Sequence, residues 1–394
     1  MDRSPQRVRN ELVLLLILSV AFLVRLYLAA ALPYTGVEKN EYIPLAESIS
    51  LRGENLHLPV RGPHHPALPA YLIRAGGSLL GNHPLGFRFF GLAAGILMIG
   101  IAYRLSFRWA GPVAARWTAV LLAFNEYHIG VSVMSADIIY YYAFAMLAFY
   151  FFCRFLQEEA PGYLLASSAM IGLSYLCREI SLLLIPVFAA CLLSSAHRRW
   201  FRRKEPYLAL FLFLLVIAPD LYWNFTAKAD PRVRLADQLS RIGGIGFTPD
   251  YLLFYARDVF RKFGWRYLDG YAEFPTMNMV FGAILAGCVL RETARLRKED
   301  PVRNLMLLAF WTILLFFLLI RPGRNIPQRL GDRQGWLWVD LTLLPASLLA
   351  GSCIERLGTR WRVLSYVAMG AGILYAVARV LNAGAAGPFA WENF

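Results

Sequence analysis

Apolar runs of about 20 residues recur along nearly the whole chain, and they constrain the fold more than any motif does. A bilayer core is about 30 Å thick, and roughly 20 apolar residues in a helix cross it. The chain supplies about eleven such runs, near 11–32, 84–107, 111–129, 136–155, 162–177, 180–196, 206–225, 275–291, 303–320, 336–354 and 363–382. We therefore expect an all-α polytopic integral membrane protein, one transmembrane domain over 1–394, with function carried by outward-facing loops that include interfacial helices.

Composition agrees. Hydrophobic residues make up 58% and charged residues 17% of the chain, against about 45–50% and 25% in soluble domains. The net charge of +14 would suit nucleic acid, but the cations are scattered between apolar runs, which fits membrane orientation and anionic lipid instead. We expect membrane lipids as partners and no nucleic acid. Cys153, Cys177, Cys191, Cys288 and Cys353 lie in or beside apolar runs without a C-x-x-C pairing, so neither disulfides nor thiolate metal sites are expected. The first run follows Arg7 and Arg9 and ends in Ala29-Ala30-Ala31, like a signal peptide. It is longer than a usual signal core and carries Arg25, so it reads as a retained helix.

With the N-terminus inside, the inner loops collect Arg104, Arg108, Arg116, Arg154, the run Arg198 to Lys204, Arg291 to Arg303 and Arg356 to Arg362, as the positive-inside rule requires. The arginine-rich pattern fits a bacterial inner membrane with the working face on the periplasmic side. The outer segments are basic too, which that rule does not explain and which suggests an anionic ligand. Loop 226–274 places Leu252, Tyr255, Val259, Phe263 and Tyr267 on one stripe of an interfacial helix. Loop 321–335 carries Arg321, Arg324, Arg329 and Arg333 among Pro and Gly that prevent a regular helix. Guanidinium groups there could converge on one phosphate.

The first outer loop, 33–83, is crowded with acids, histidines and prolines: Glu38, Lys39, Glu41 and Tyr42 near its start, His57, His64, His65 and Pro66 further on. It is followed by Gly86-Phe87-Arg88 opening the second run, Ser135-Ala136-Asp137 before the fourth, Pro219 to Asn224 ending the seventh and Leu344-Pro345 in the tenth. In that order these motifs resemble the GT-C membrane glycosyltransferases, on the branch of protein O-mannosyltransferases and the lipid A aminoarabinose transferase (glycosyltransferase family 39 type). The likeness covers residues 1 to about 350.

The resemblance implies a hexosyl or pentosyl transferase that moves a sugar from a polyprenyl phosphate to a lipid, glycan or protein acceptor. Such enzymes carry an acidic pair followed three residues later by Tyr. Counted from Tyr42, that pair falls on Glu38 and Lys39, so a lysine replaces the second acid; Glu41 could substitute for it, or Lys39 could contact donor phosphate.

Inverting transfer needs a carboxylate to take the acceptor proton and positive charge to stabilise the departing phosphate. Glu38 is the first choice of base and Asp137 the second carboxylate, with capping of the fourth run as the competing role for Asp137. Substrate contacts are expected from Lys39, Tyr42, His64, His65, Arg25, Arg178, Arg321, Arg324, Arg329 and Arg333. Arg178 is carried over from the resemblance as a donor-phosphate contact, with a salt bridge to Glu179 as the alternative. Arg74 and Arg88 read as side chains snorkelling to the interface. Glu38, Glu41, Asp137, His57, His64, His65 and His128 could also hold a divalent cation (Mg, Mn or Zn), although no pair has diagnostic ligand spacing.

No nucleotide-binding loop of the Walker or Rossmann type is present. A carrier or flippase for lipid-linked sugars, or a silent binding subunit, is the rival class. A carrier would favour two symmetric halves with interrupted spans, whereas here the acids and histidines concentrate in one asymmetric loop.

Overall fold

In the computed structural model, the described residues are 5–34, 38–49, 66–193, 197–226, 242–245, 278–295, 300–322, 340–360 and most of 362–374. The interfacial helix expected in loop 226–274 and most of loop 321–335 lie outside them. Helices dominate. The first long helix, α1 (Pro5–Ala31), leads into a π-turn at Glu38–Tyr42 and two juxtamembrane helices, α2 (Ile43–Glu47) and α3 (Leu68–Leu80). Then follow α4 (Pro84–Ala110), α5 (Pro112–Ala123), α6 (Glu126–Ser132), α7 (Ile138–Glu158), α8 (Pro161–Tyr175), α9 (Leu184–Leu193) and α10 (Glu205–Thr226). Further on come α11 (Asn278–Ala294), α12 (Pro301–Leu319) and α13 (Asp340–Glu355).

Four of these are long and apolar enough to cross a bilayer, α1, α4, α7 and α10, and several shorter apolar helices pack among them. Proline opens α4, α5, α8 and α12 at the first position, where its missing N–H costs nothing. The helices leave large apolar side chains such as Leu15, Leu16, Leu23, Phe211 and Leu215 exposed. That pattern suits lipid rather than water as the surrounding solvent.

Three local features depart from the sequence expectation. The run 111–129 is not one span: α5 ends at Ala123, and the Asn125 carboxamide caps α6 by accepting from His128 N. The run 180–196 opens as a 3-10 turn, Glu179–Leu183, before α9. A short antiparallel ribbon also forms, β1 (Ile242–Ile245) against β2 (Ile320–Pro322), with a bulge at Gly243. It ties loop 226–274 to the start of loop 321–335 and includes the Arg321 backbone.

The two ends of the bundle are tied differently. At the end where α4 finishes, Glu292 pairs with Arg303 and Arg356, Asp300 accepts from the Trp109 indole, and Glu355 accepts from Ala114 N. This knot fastens the α4–α5 hairpin to α11, α12 and α13. At the other end, α4 presents Gly91 and Gly95 to the segment just before α7. A Cβ at Gly95 would sit 2.3 Å from Ser132 Oγ, and one at Gly91 would sit 3.2 Å from Met134 O. Only glycine lets that segment lie so close on α4.

Candidate active site

The site end is built around two buried ion pairs on neighbouring turns. In the first, Arg88 on the opening turns of α4 meets Glu38 on the π-turn. Arg88 Nε donates to Glu38 Oε1 at 2.8 Å and Arg88 Nη2 to Glu38 Oε2 at 2.8 Å. The remaining guanidinium hydrogens go to Ala29 O, Leu32 O and Pro33 O at 2.8–2.9 Å, carbonyls at and just past the end of α1. The side chain is buried and lies over the Tyr34 ring at 5.2 Å. Arg88 thus corrects the snorkelling expectation. With its donors spread over a carboxylate and three backbone carbonyls, it holds the start of the loop that follows α1.

Glu38 also accepts from Ser135 N at 2.8 Å. One carboxylate therefore links the first loop, α4 and the turn that carries Asp137. Glu38 is fully buried, while Lys39, Asn40 and Glu41 on the same turn face outward. Both Glu38 oxygens accept from Arg88, so this carboxylate is engaged in holding the first loop on α4.

In the second pair, Arg178 Nη1 donates to Asp137 Oδ2 at 3.0 Å, with both residues buried. Asp137 stands at the N-cap position of α7, yet its side chain makes no capping hydrogen bond. The competing capping role is therefore not the one its carboxylate serves. Arg178 pairs across the bundle with Asp137. Its guanidinium lies 5.8 Å from the Tyr141 ring. The Tyr42 phenol is hydrogen-bonded to Asp137, and burial first, then the Asp137 charge, push its pKa well above the ordinary tyrosine value. The backbone supports this closeness: Leu68 N donates to Leu176 O, bringing the far end of the first loop onto the α8 hairpin tip.

Arg25 is not in this constellation's contact set. It is fully buried inside the bundle, donating to Ala21 O and Ala123 O and meeting His128 Nδ1 at 2.9 Å. Its expected substrate contact becomes a brace between α1 and the α5–α6 junction, and His128 is drawn into the same interior contact. Among the described residues no three His, Cys, Asp or Glu side chains group as a metal cluster. His57, His64, His65, Arg324, Arg329 and Arg333 lie outside the described residues, and for Arg321 the backbone alone is described. The sequence reading missed the Arg88–Glu38 pair because an arginine four residues into an apolar run looks the same whether it snorkels or turns inward.

The chain matches the family of dolichyl-phosphate-mannose-protein mannosyltransferases over residues 64–223, a stretch that contains Arg88, Asp137 and Arg178 but not Glu38. No curated protein sequence matches it. Among solved structures it is similar to ArnT from Cupriavidus metallidurans bound to undecaprenyl phosphate, with a TM-score of 0.70 at 15% identity over 90% of this chain and 62% of that one. The apo state of the same protein aligns with a TM-score of 0.60 at 16% identity, over 94% of this chain and 64% of that one. The Archaeoglobus fulgidus oligosaccharyltransferase tethered to an acceptor peptide aligns with a TM-score of 0.54 at 15% identity, over 93% of this chain and 53% of that one. The chain thus spans less than two thirds of the length of these relatives. Its fold is that of the GT-C membrane glycosyltransferases, as the order of motifs implied.

Proposed function

We propose, from this GT-C fold, that the chain is a membrane glycosyltransferase that transfers a sugar from a polyprenyl-phosphate donor to an acceptor hydroxyl on the outer face, with inversion. The observation that carries the reading is the buried Asp137–Arg178 pair, backed by Tyr42 and set beside the Glu38–Arg88 pair. It places a carboxylate and a cation side by side at one end of a membrane bundle.

In this reaction the acceptor oxygen attacks the anomeric carbon, the bond from that carbon to the phosphate oxygen breaks, and the phosphate leaves with the electron pair. The acceptor proton goes to a carboxylate. Arg178 is the natural ligand for the leaving phosphate, since a guanidinium holds phosphate in bidentate geometry. Donor binding would then draw Arg178 away from Asp137 and leave that carboxylate to take the acceptor proton. Glu38 is the other carboxylate that sequence puts forward, and its bonds to Arg88 and Ser135 favour a holding role. Glu41 and Lys39, exposed on the same turn, would face the acceptor.

The test is release of free polyprenyl phosphate from a panel of lipid-linked monosaccharides by the purified protein. Asp137→Asn should lower turnover by at least about a hundredfold, the usual scale for a general base, counted per folded molecule because the variant also breaks a buried ion pair. Glu38→Gln should keep measurable turnover and lower the unfolding midpoint. The reverse pattern would move the base to Glu38, and no release with any donor despite binding would favour a carrier.

A further inference from the structure

At the end of the bundle opposite the candidate site, the link between α9 and α10 gathers five cations within seven residues: Arg198, Arg199, Arg202, Arg203 and Lys204. The 21 residues of α7 separate this link from Asp137, a rise of about 31 Å. Arg198–Arg202 form a 3-10 turn. Trp200 of that turn is buried against the Phe155 ring, edge-on at 4.8 Å. The Arg203 guanidinium lies 4.6 Å from the Trp200 ring. The turn is therefore nailed to the bundle by its aromatic residue, while all five cations remain exposed.

These charges are poorly compensated. Glu159 takes Arg199 and lies 3.8 Å from His197 Nδ1. Glu158 is occupied by Arg108 and Arg154, and Glu292 by Arg303 and Arg356. Among the described residues no carboxylate pairs with Arg198, Arg202, Arg203 or Lys204. Directly beyond them, α10 exposes Tyr207, Leu208, Leu210, Phe211, Leu214 and Leu215. It is the least buried of the long apolar helices, 22% against 28–72% for the others. The Tyr207 hydroxyl donates to Phe201 O at 3.1 Å and fixes this aromatic at the boundary between the two zones.

A cationic rim over an unpacked apolar wall matches one amphiphile: phosphate at the top and acyl chains below. We infer that the 198–204 turn and the first turns of α10 form a binding site for an anionic phospholipid, the headgroup phosphate held by Arg198, Arg202, Arg203 and Lys204. A phosphate takes several guanidinium hydrogen bonds at once, and each cation near an anionic membrane surface strengthens attachment roughly fivefold.

The experiment uses the full chain in a neutral detergent and counts phospholipid retained in native mass spectrometry. Dispersed phosphatidylglycerol, cardiolipin and phosphatidylcholine are compared, with inorganic phosphate as competitor. The site predicts preferential retention of the two anionic lipids, little displacement by free phosphate and weakening at high salt. The quadruple variant R198Q/R202Q/R203Q/K204Q, which leaves Trp200 in place, should lose at least about tenfold in affinity, while R104Q/R360Q, altering two other exposed cations of this end, should not. Equal retention of phosphatidylcholine by the wild type would overturn the inference whatever the variants do. So would equal loss in both variants, or displacement by inorganic phosphate as effective as by lipid.

Discussion

Replacing Arg88 by Met removes the one group that neutralises Glu38 from α4 and that donates to the chain leaving α1. Breaking a buried ion pair by deleting one partner costs about 3–5 kcal/mol, because the other charge stays buried and uncompensated. Three carbonyls lose their donor as well. Ala29 O lies deepest, while Leu32 O and Pro33 O belong to part-buried contacts that water can replace, so they add about 1 kcal/mol in all. The expected total is about 4–6 kcal/mol, comparable to the whole stability of many domains. Arg88→Lys keeps the charge but offers three donors from one point and should recover only part of this loss.

The informative variant is the double one, Arg88→Met with Glu38→Met. If the cost is dominated by a stranded carboxylate, removing that carboxylate restores stability, and the double variant should be at least about 1 kcal/mol more stable than Arg88→Met alone, since apolar replacement of a whole buried pair is often neutral. Equilibrium unfolding in mixed micelles, with both single variants completing the cycle, measures this directly. A double variant whose loss equals the sum of the two single losses within about 0.5 kcal/mol would mean the side chains do not act together. The clamp would then be refuted.

Further outcomes follow from the same contacts. Arg178→Gln should weaken donor binding more than it lowers stability, read as a rise in donor KM, with Arg178→Lys intermediate. Tyr42 has a folded-state pKa above its unfolded value of about 10. Its contribution is therefore complete below pH ~10 and is lost as pH rises towards the folded value; comparing wild type with Tyr42→Phe in alkaline unfolding should show a shallower decline in the variant, and identical slopes would contradict the buried Tyr42–Asp137 contact. Gly95→Ala would force a Cβ to within 2.3 Å of Ser132 Oγ and should cost about 1–3 kcal/mol by overpacking. An unchanged midpoint would show that the α4 contact yields freely.

The sequence alone carried the membrane class, the all-helical architecture, and Asp137 and Arg178 as polar residues at the ends of apolar runs. These were legible because hydropathy is local: about 20 apolar residues declare a span whatever surrounds them, and a charge at its edge is costly unless something uses or pairs it. What the charges pair with is not local. Arg88 and Glu38 are 50 positions apart, Asp137 and Arg178 are 41 apart, and Arg25 and His128 are 103 apart. No periodicity encodes such partners. The tertiary structure turned Arg25 from a ligand contact into an interior brace and Arg88 from a snorkelling side chain into a clamp. It left Asp137 without the capping bond its position offered. Burial in a medium without water makes each charge seek the nearest opposite charge or carbonyl, and only the packing of helices decides which one is near.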